Sequence, residues 1–400
     1  MCIASGSRRL ICLLSSLLWM AACGGNSSGG GGATKPPGQA EFLYAADEGN
    51  NVVVFSIDQT TGALNPTSEI SPGGETVSNH AVTVTPSGSF VYAANDATSG
   101  INGYATNASG SLSIIAGSPF PVLPSVQPQW PVIHGITIDP KGRFLYCDSG
   151  AGFGGVAGFA IDGTSGALTP IAGSPFSSGG PNVPAMIAID LTGRYLYAST
   201  SFDEAFLPPG YNIWAFTIDS GSGALTPVPG SPFATLENSQ PDALEVDPSG
   251  RFLYVALSNA GSIAAFAIDN ATGSLTPLVG SPFPTSSSQT TQTYSLTIAA
   301  SGKFLFAFNS NGSTVSGFAL DPTSGTLTSV AGSPFSTNPV AEGGNELITD
   351  PSGDLLYVGV GSSSEFVVFD IDASTGVLTP AAASPIAGTF NPAGLAVARF

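Results

Sequence analysis

Positive charge is scarce in this 400-residue chain: nine Lys and Arg stand against 27 Asp and Glu, for a formal net charge of −18. Such a surface repels phosphate backbones, which excludes a nucleic-acid partner, and it gives no electrostatic hold on anionic lipid. Histidine is scarcer still, at two copies, and charged residues of all kinds make up 9% of the chain. Beyond the N-terminus no segment carries the three-to-four-residue apolar spacing of an amphipathic helix. Cysteine is also short. Cys2 and Cys12 fall in a leader and Cys23 at its end, so Cys147 stands alone and no internal disulfide is available. It follows Tyr146 in an apolar run and reads as a buried structural thiol. The apolar run Leu10 to Met20 is too short to span a bilayer.

What is abundant is glycine and proline, 51 and 32 residues. They punctuate short runs of Val, Ile, Phe and Tyr, the pattern of many short strands joined by turns. At the N-terminus, Arg8-Arg9 is a basic n-region, Leu10 to Met20 an apolar h-region, and Met20-Ala21-Ala22-Cys23 resembles a bacterial lipobox. Residues 1–22 are therefore expected to be a lipoprotein signal peptide and Cys23 the lipidated first residue of the mature protein. Residues 24–40 read as a Gly/Ser/Pro-rich tether reaching roughly 20–25 Å. Gly24 after the Cys favours the outer membrane, by resemblance to enterobacterial lipoproteins. The expected product is exported, lipid-anchored in the cell envelope and monomeric.

Residues 41–400 hold one strand motif seven times: Phe42-Leu-Tyr, Phe90-Val-Tyr, Phe144-Leu-Tyr, Tyr195-Leu-Tyr, Phe252-Leu-Tyr, Phe304-Leu-Phe and Leu355-Leu-Tyr. A Ser/Thr-Gly-x-Leu turn follows each copy, from Thr61-Gly-Ala-Leu to Thr375-Gly-Val-Leu, and Gly-Ser-Pro-Phe ends five of them. The spacing leaves room for four strands per repeat, so the expected fold is an all-β, seven-bladed β-propeller. The Pro of Gly-Ser-Pro-Phe is expected to end an outer edge strand, and its Phe to pack between blades. The first copy has no innermost strand of its own. Asn391-Pro-Ala-Gly-Leu-Ala-Val397 supplies a spare one, so the C-terminus should complete blade one and close the ring.

The repeat Gly-Arg-Phe-Leu-Tyr … Phe-x-Ile-Asp-x-x-Thr/Ser-Gly-x-Leu-Thr resembles the lactonase family of seven-bladed propellers, which includes 6-phosphogluconolactonases and muconate-lactonizing enzymes. In blade three, His134-Gly-Ile-Thr-Ile-Asp139-Pro-Lys-Gly-Arg143-Phe … Asp148-Ser-Gly150 is similar to the family's His … Asp-Pro-x-Gly-Arg-Phe … Asp-x-Gly stretch, which implies functional roles for His134 and Asp148. Elsewhere the chain departs from the family pattern. Pro184-Ala185 stands for Arg-His, Ser199-Thr200 for Asn-Glu, and Ser258-Asn259-Ala260 for Ser-Asn-Arg.

Aligning the innermost strands puts His80, His134, Ala185, Asp242, Tyr294, Asn345 and Ala393 in one column at one mouth of the channel. Both histidines of the chain fall in it. The ends of the second strands should add Asp47, Asn95, Asp96 and Asp148 to the rim. Glu245 stands deeper, in a column otherwise held by Thr83, Thr137, Ala188, Thr297, Ile348 and Ala396. Three functions fit. A lactone hydrolase would use His134 or Glu245 as base and Tyr294 or Asn345 as oxyanion donor. A divalent metal would find ligands in His80, His134 and Asp242. A non-catalytic propeller would bind a small neutral ligand, a glycan or a protein. The ligand-binding set common to these readings is His80, His134, Asp148, Asp242, Asn95 and Asp96. No Lys or Arg falls at this mouth, so 6-phosphogluconolactone is not the expected substrate.

Overall fold

The structure is a computed structural model that describes residues 40–400 except 48–50, 72–80, 96–98, 123–132, 150–154, 178–183, 201–210, 238, 287–291, 338–345, 361–363 and 388–391. The signal, the tether and Cys23 lie outside the described residues. No described helix is long and apolar enough to cross a membrane.

Seven antiparallel sheets follow one another along the chain. Their innermost strands are Pro392–Arg399 for blade one, then Val82–Val84, Ile136–Ile138, Pro184–Ile189, Pro241–Val246, Thr293–Ile298 and Leu347–Thr349. The last strand of the chain pairs with Glu41–Asp47, from Glu41↔Arg399 to Asp47↔Pro392, and so completes blade one as expected. Arg399 clasps the junction: its Nε donates to Glu41 Oε1 at 2.7 Å, and Glu41 is buried. Phe42 and Phe400 meet edge to face beside it. Helix among the described residues is limited to one 3₁₀ turn, Ser310–Gly312.

The outer strand differs from expectation in one respect. It is split rather than ended by its proline. In blade two, Leu112–Ile114 pairs with the distal half of Gly100–Thr106, and Phe120–Pro121 pairs with the proximal half of the same strand. The Gly-Ser-Pro segment bridges the two halves, and each of the six Ser-Pro bonds is cis. Its serine hydroxyl accepts an N–H of the third strand, as in Gly103 to Ser118 Oγ at 2.9 Å, which bonds the backbone where the ladder is interrupted.

The core consists of seven apolar clusters, each lying between two successive blades. Phe120 belongs to the cluster that joins blade two to blade three, between blades as expected. The repeat motifs lock these interfaces. Tyr254, fully buried, donates its hydroxyl to Gly325 O of the next blade at 2.8 Å, and Tyr92, Tyr146, Tyr197 and Tyr357 do the same toward Gly166, Gly223, Gly273 and Gly62. The same glycine seats the first aromatic of the motif. A Cβ on Gly325 would lie 2.5 Å from the Phe252 ring, and the φ of +72° is one that L side chains rarely adopt. Blade six has Phe306 in place of the tyrosine and makes no such bond, and the turn of blade two is the other exception. That turn is one residue shorter, with Gly110 N bonded to Asn107 O across three residues rather than four, and the Tyr44 hydroxyl has no hydrogen-bond partner among the described residues.

Candidate functional site: one mouth of the central channel

The innermost strands run parallel to the channel, so residues at one level come from all seven blades. The pairings fix these levels. Thr83, Thr137, Ala188, Glu245, Thr297, Ile348 and Ala396 each pair with the last aromatic of the repeated motif, Tyr92, Tyr146, Tyr197, Tyr254, Phe306, Tyr357 and Tyr44. One residue earlier come Val82, Ile136, Ile187, Leu244, Leu296, Leu347 and Leu395, a complete aliphatic collar. Six of them floor a cavity of about 200 Å³ that opens at the mouth, and His134, Asp242, Ser295 and Glu346 line its walls.

Asp148 organises the site. It is fully buried at the end of the second strand of blade three. Its Oδ1 accepts the backbone N–H groups of His134 at 2.9 Å and Gly135 at 3.0 Å, and its Oδ2 stands 3.8 Å from His134 Nδ1. Burial pushes the Asp148 carboxyl above its usual range, while His134 and the two N–H groups pull it back. The imidazole itself is 45% exposed. With Nδ1 facing Asp148, Nε2 is the nitrogen left to accept a proton.

Sequence spacing grouped Asp148 with Asp47 and Asn95 on a rim, but the structure separates them. Relative to the paired aromatics, Asp148 corresponds to Ala94, one position before Asn95, and therefore points to the opposite face of its sheet. Asn95 is buried and donates to Asn102 Oδ1 at 3.3 Å, inside its own blade, and Asp47 is buried as well. Neither lines the cavity. In blade four the position of Asp148 is held by Ser199, whose hydroxyl accepts the N–H of Met186. Thr200 likewise accepts the N–H of Asn212, so both residues at these positions hold backbone.

Asp242 faces the same cavity from blade five. Gln240 Nε2 donates to its Oδ1 at 2.6 Å, and its Oδ2 is buried with no hydrogen-bond partner among the described residues. Burial raises its pKa, and interactions with the Ser258 hydroxyl and the Gln240 amide, then the charge of His134, oppose that rise. Small Ala185 in the intervening blade leaves the two side chains in view of each other. Tyr294 stands at the rim, 39% exposed, with its hydroxyl on Gln292 Oε1 at 3.3 Å. It is not among the cavity-lining residues, which places it as a platform at the entrance rather than as a donor inside.

Glu245 is not part of this cavity. It lies beyond the collar in a second cavity of about 430 Å³ at the turn-bearing end, with Thr297, Thr349 and Asp350. There it accepts the N–H of Ile298 at 3.1 Å, and burial pushes its carboxyl up to about 8. Glu245 and His134 therefore line different cavities. His80, Asp96 and Asn345 lie outside the described residues. Among the described residues no group of three His, Cys, Asp or Glu side chains converges as metal ligands do.

Two lining residues escaped the sequence reading, Ser295 and Glu346. They sit one position further in than the aligned column, and the adjacent Asn345 carried the alignment's attention. The Arg side chains are engaged elsewhere. Arg143, Arg194 and Arg251 lie over the rings of Phe144, Tyr195 and Phe252, and Arg143 donates to Ser220 O of the next blade. All three follow the turns at the far end of the channel.

Fold and mouth together define a seven-bladed propeller with an Asp–His pair in a channel pocket that no described Lys or Arg lines. The chain belongs to the lactonase family of seven-bladed β-propellers, whose model matches residues 34–178, 174–288 and 280–391. Among solved structures it is similar to a proposed 6-phosphogluconolactonase of Bacteroides fragilis, with 20% identity, a TM-score of 0.71 and coverage of 92% of this chain and 99% of that one. It is also similar to a periplasmic gluconolactonase of Pseudomonas aeruginosa, with 20% identity, a TM-score of 0.69 and coverage of 90% and 99%. No curated protein matches the chain.

Proposed function

We propose that the mouth hydrolyses a small, neutral lactone, with His134 as the general base. The observation that carries this reading is the Asp148–His134 pair. A buried carboxylate accepts the backbone N–H of His134 and stands 3.8 Å from Nδ1 of its exposed imidazole, a placement that leaves Nε2 facing away from the carboxylate and open to a water molecule. In the reaction, water attacks the lactone carbonyl as Nε2 takes its proton. The ring C–O bond then breaks, and the product is the open hydroxy acid.

The pocket also supports a choice of substrate. At about 200 Å³ it has room for one small ring rather than a glycan segment. Its floor is aliphatic, Asp242 offers an unused acceptor to a hydroxyl, and Tyr294 offers a ring face at the entrance. All nine basic residues of the chain lie elsewhere: three precede residue 40, five lie in or just after the turns at the far end, and Arg399 is bound to Glu41. A phosphate would meet the carboxylates of Asp242 and Glu346 and no Lys or Arg, so we infer an unphosphorylated sugar lactone rather than 6-phosphogluconolactone. The gluconolactonase name of the Pseudomonas aeruginosa neighbour agrees with this reading. We further propose export and anchoring through Cys23, and Cys23→Ala should release a folded propeller from membranes.

A non-catalytic binding propeller is the second reading. It is favoured by Ser199 and Thr200, which hold backbone where the family pattern has Asn-Glu. Hydrolysis of glucono-lactone and of its 6-phosphate by wild type and His134→Ala tests the choice. Turnover of the neutral lactone, lost in the variant, is expected. Binding without turnover selects the second reading, and faster turnover of the phosphorylated lactone refutes the substrate argument.

A further inference from the structure

We propose that Glu346 is the proton donor of the mouth, placing an acid proton on the leaving oxygen of the bound lactone. The inference rests on the lactone reading above and adds a residue that the family resemblance did not supply.

The argument is one of position. One step in from His134 and Asp242 the seven blades present Ala81, Gly135, Met186, Ala243, Ser295, Glu346 and Gly394, and all seven line the cavity. Five of these are Ala, Gly or Ser. Their small size is what opens the cavity, and Glu346 is the one ionisable group in the ring. Blade seven lies three blades from blade three in one direction and four in the other, so Glu346 stands on the wall facing His134. Its anchor is specific. Ser295 Oγ donates to Glu346 Oε2 at 3.5 Å, while the Ser295 hydroxyl itself accepts the N–H of Leu347. A base on one wall and an acid on the other is the arrangement that ring opening requires.

The environment keeps that acid protonated where it is needed. The aliphatic collar lies directly beneath, and burial pushes the Glu346 carboxyl up to about 7, with the Ser295 hydrogen bond opposing the rise. The titratable groups around it are Tyr294 on blade six and, across the cavity, Asp242 and the His134–Asp148 pair. One residue nearer the mouth, the described strands add two more carboxylates, Asp47 on blade one and Glu365 on its own blade, which also disfavour a charged Glu346, and Arg399 is bound to Glu41 at the far end. No described cation therefore holds Glu346 ionised.

The step balances. His134 Nε2 takes one proton from water as its oxygen bonds to the carbonyl carbon. As the ring C–O bond breaks, the carboxylic acid of Glu346 gives its proton to the departing oxygen, which becomes the product hydroxyl. Glu346 is left as a carboxylate and His134 as an imidazolium. Proton return from imidazolium to carboxylate through water resets both, and the net reaction is lactone plus water to hydroxy acid.

Two measurements test it. On glucono-lactone, the acid form of Glu346 is required, so kcat should fall as pH rises through about 7. Glu346→Gln should lower kcat by about 100-fold, leave KM within about threefold and abolish that alkaline limb. Ser295→Ala, which removes a bond favouring the ionised form, should move the limb to higher pH. A Glu346→Gln enzyme with wild-type kcat, or one that keeps the limb, overturns the proposal while leaving the lactone reading standing. The second measurement needs no turnover: calorimetric binding of gluconolactam, a neutral non-hydrolysable ring, from about pH 5.5 to about pH 8.5. Affinity should fall with rising pH in wild type and stay level in Glu346→Gln. That result without any lactone turnover would retire the lactonase reading, and proton transfer to a leaving oxygen with it, and leave Glu346 as a hydrogen-bond donor to the bound ring. A level wild-type profile overturns the donor.

Discussion

The two ends of the channel follow different rules. At the turn-bearing end, one solution repeats. An aspartate such as Asp139, Asp190, Asp247 or Asp350 accepts the two N–H groups that open the second strand, and an Arg in three of the blades lies over the first aromatic. At the mouth, blades three to six present His134, Ala185, Asp242 and Tyr294 at one level. Repetition belongs to the parts that must tile around a ring. Variation is confined to the level where a ligand meets the chain, and a single frame thereby carries a site that no single blade encodes.

The repeated part should be the costliest to break. Deleting residues 392–400 removes the innermost strand of blade one and leaves Glu41 buried without its arginine. The truncated protein should show no cooperative unfolding transition by circular dichroism. Gly325→Ala forces a Cβ to 2.5 Å from Phe252 at a φ of +72°, and should cost about 2–4 kcal/mol in denaturant unfolding. Gly163→Ala, with nothing within 4 Å, should cost almost nothing. Tyr254→Phe strips the Gly325 carbonyl of its donor and should cost about 1 kcal/mol, whereas Tyr44→Phe removes a hydroxyl with no partner among the described residues and should be neutral or slightly stabilising.

Glu245 sharpens the comparison, because it is a carboxylate beyond the collar with a structural setting. Its folded pKa is raised to about 8, so the stability it contributes is fully present below the unfolded value near 4.5 and is lost as pH rises toward 8. Glu245→Gln should flatten the fall of the melting temperature across that window without changing lactone turnover. Reduced turnover at constant KM would return Glu245 to the site.

The fold was legible because its signals repeat. Seven aromatic strands, seven glycine turns and one spare strand at the C-terminus leave a single way to close the ring, and the observed Glu41↔Arg399 register agrees. The outer strand was read less well. A proline that interrupts a ladder and one that ends it look alike in sequence, and the pairing of Phe120–Pro121 back onto Gly100–Thr106 distinguishes them. At the mouth, alignment found the level of His134 and Asp242. It misjudged the second-strand ends because a one-residue offset reverses the face: Asp148 reaches His134, and Asn95 turns into its blade. Glu245, read as standing deeper in the channel, was offered as an alternative base because a strand pattern shows depth but not which cavity a side chain lines. Glu346 and Ser295 were passed over because they belong to a row of small residues that resembles packing.

The central claim is that buried Asp148 makes His134 a base, and Asp148→Asn tests it most directly. The asparagine keeps an oxygen to accept the N–H groups of His134 and Gly135, so the backbone should hold, but its amide no longer stabilises an imidazolium or fixes Nδ1 as the protonated nitrogen. Glucono-lactone hydrolysis by Asp148→Asn should fall by about 100-fold to 10,000-fold in kcat, with the melting temperature nearly unchanged. A variant that turns over the lactone at the wild-type rate, with the wild-type pH profile, would contradict the account.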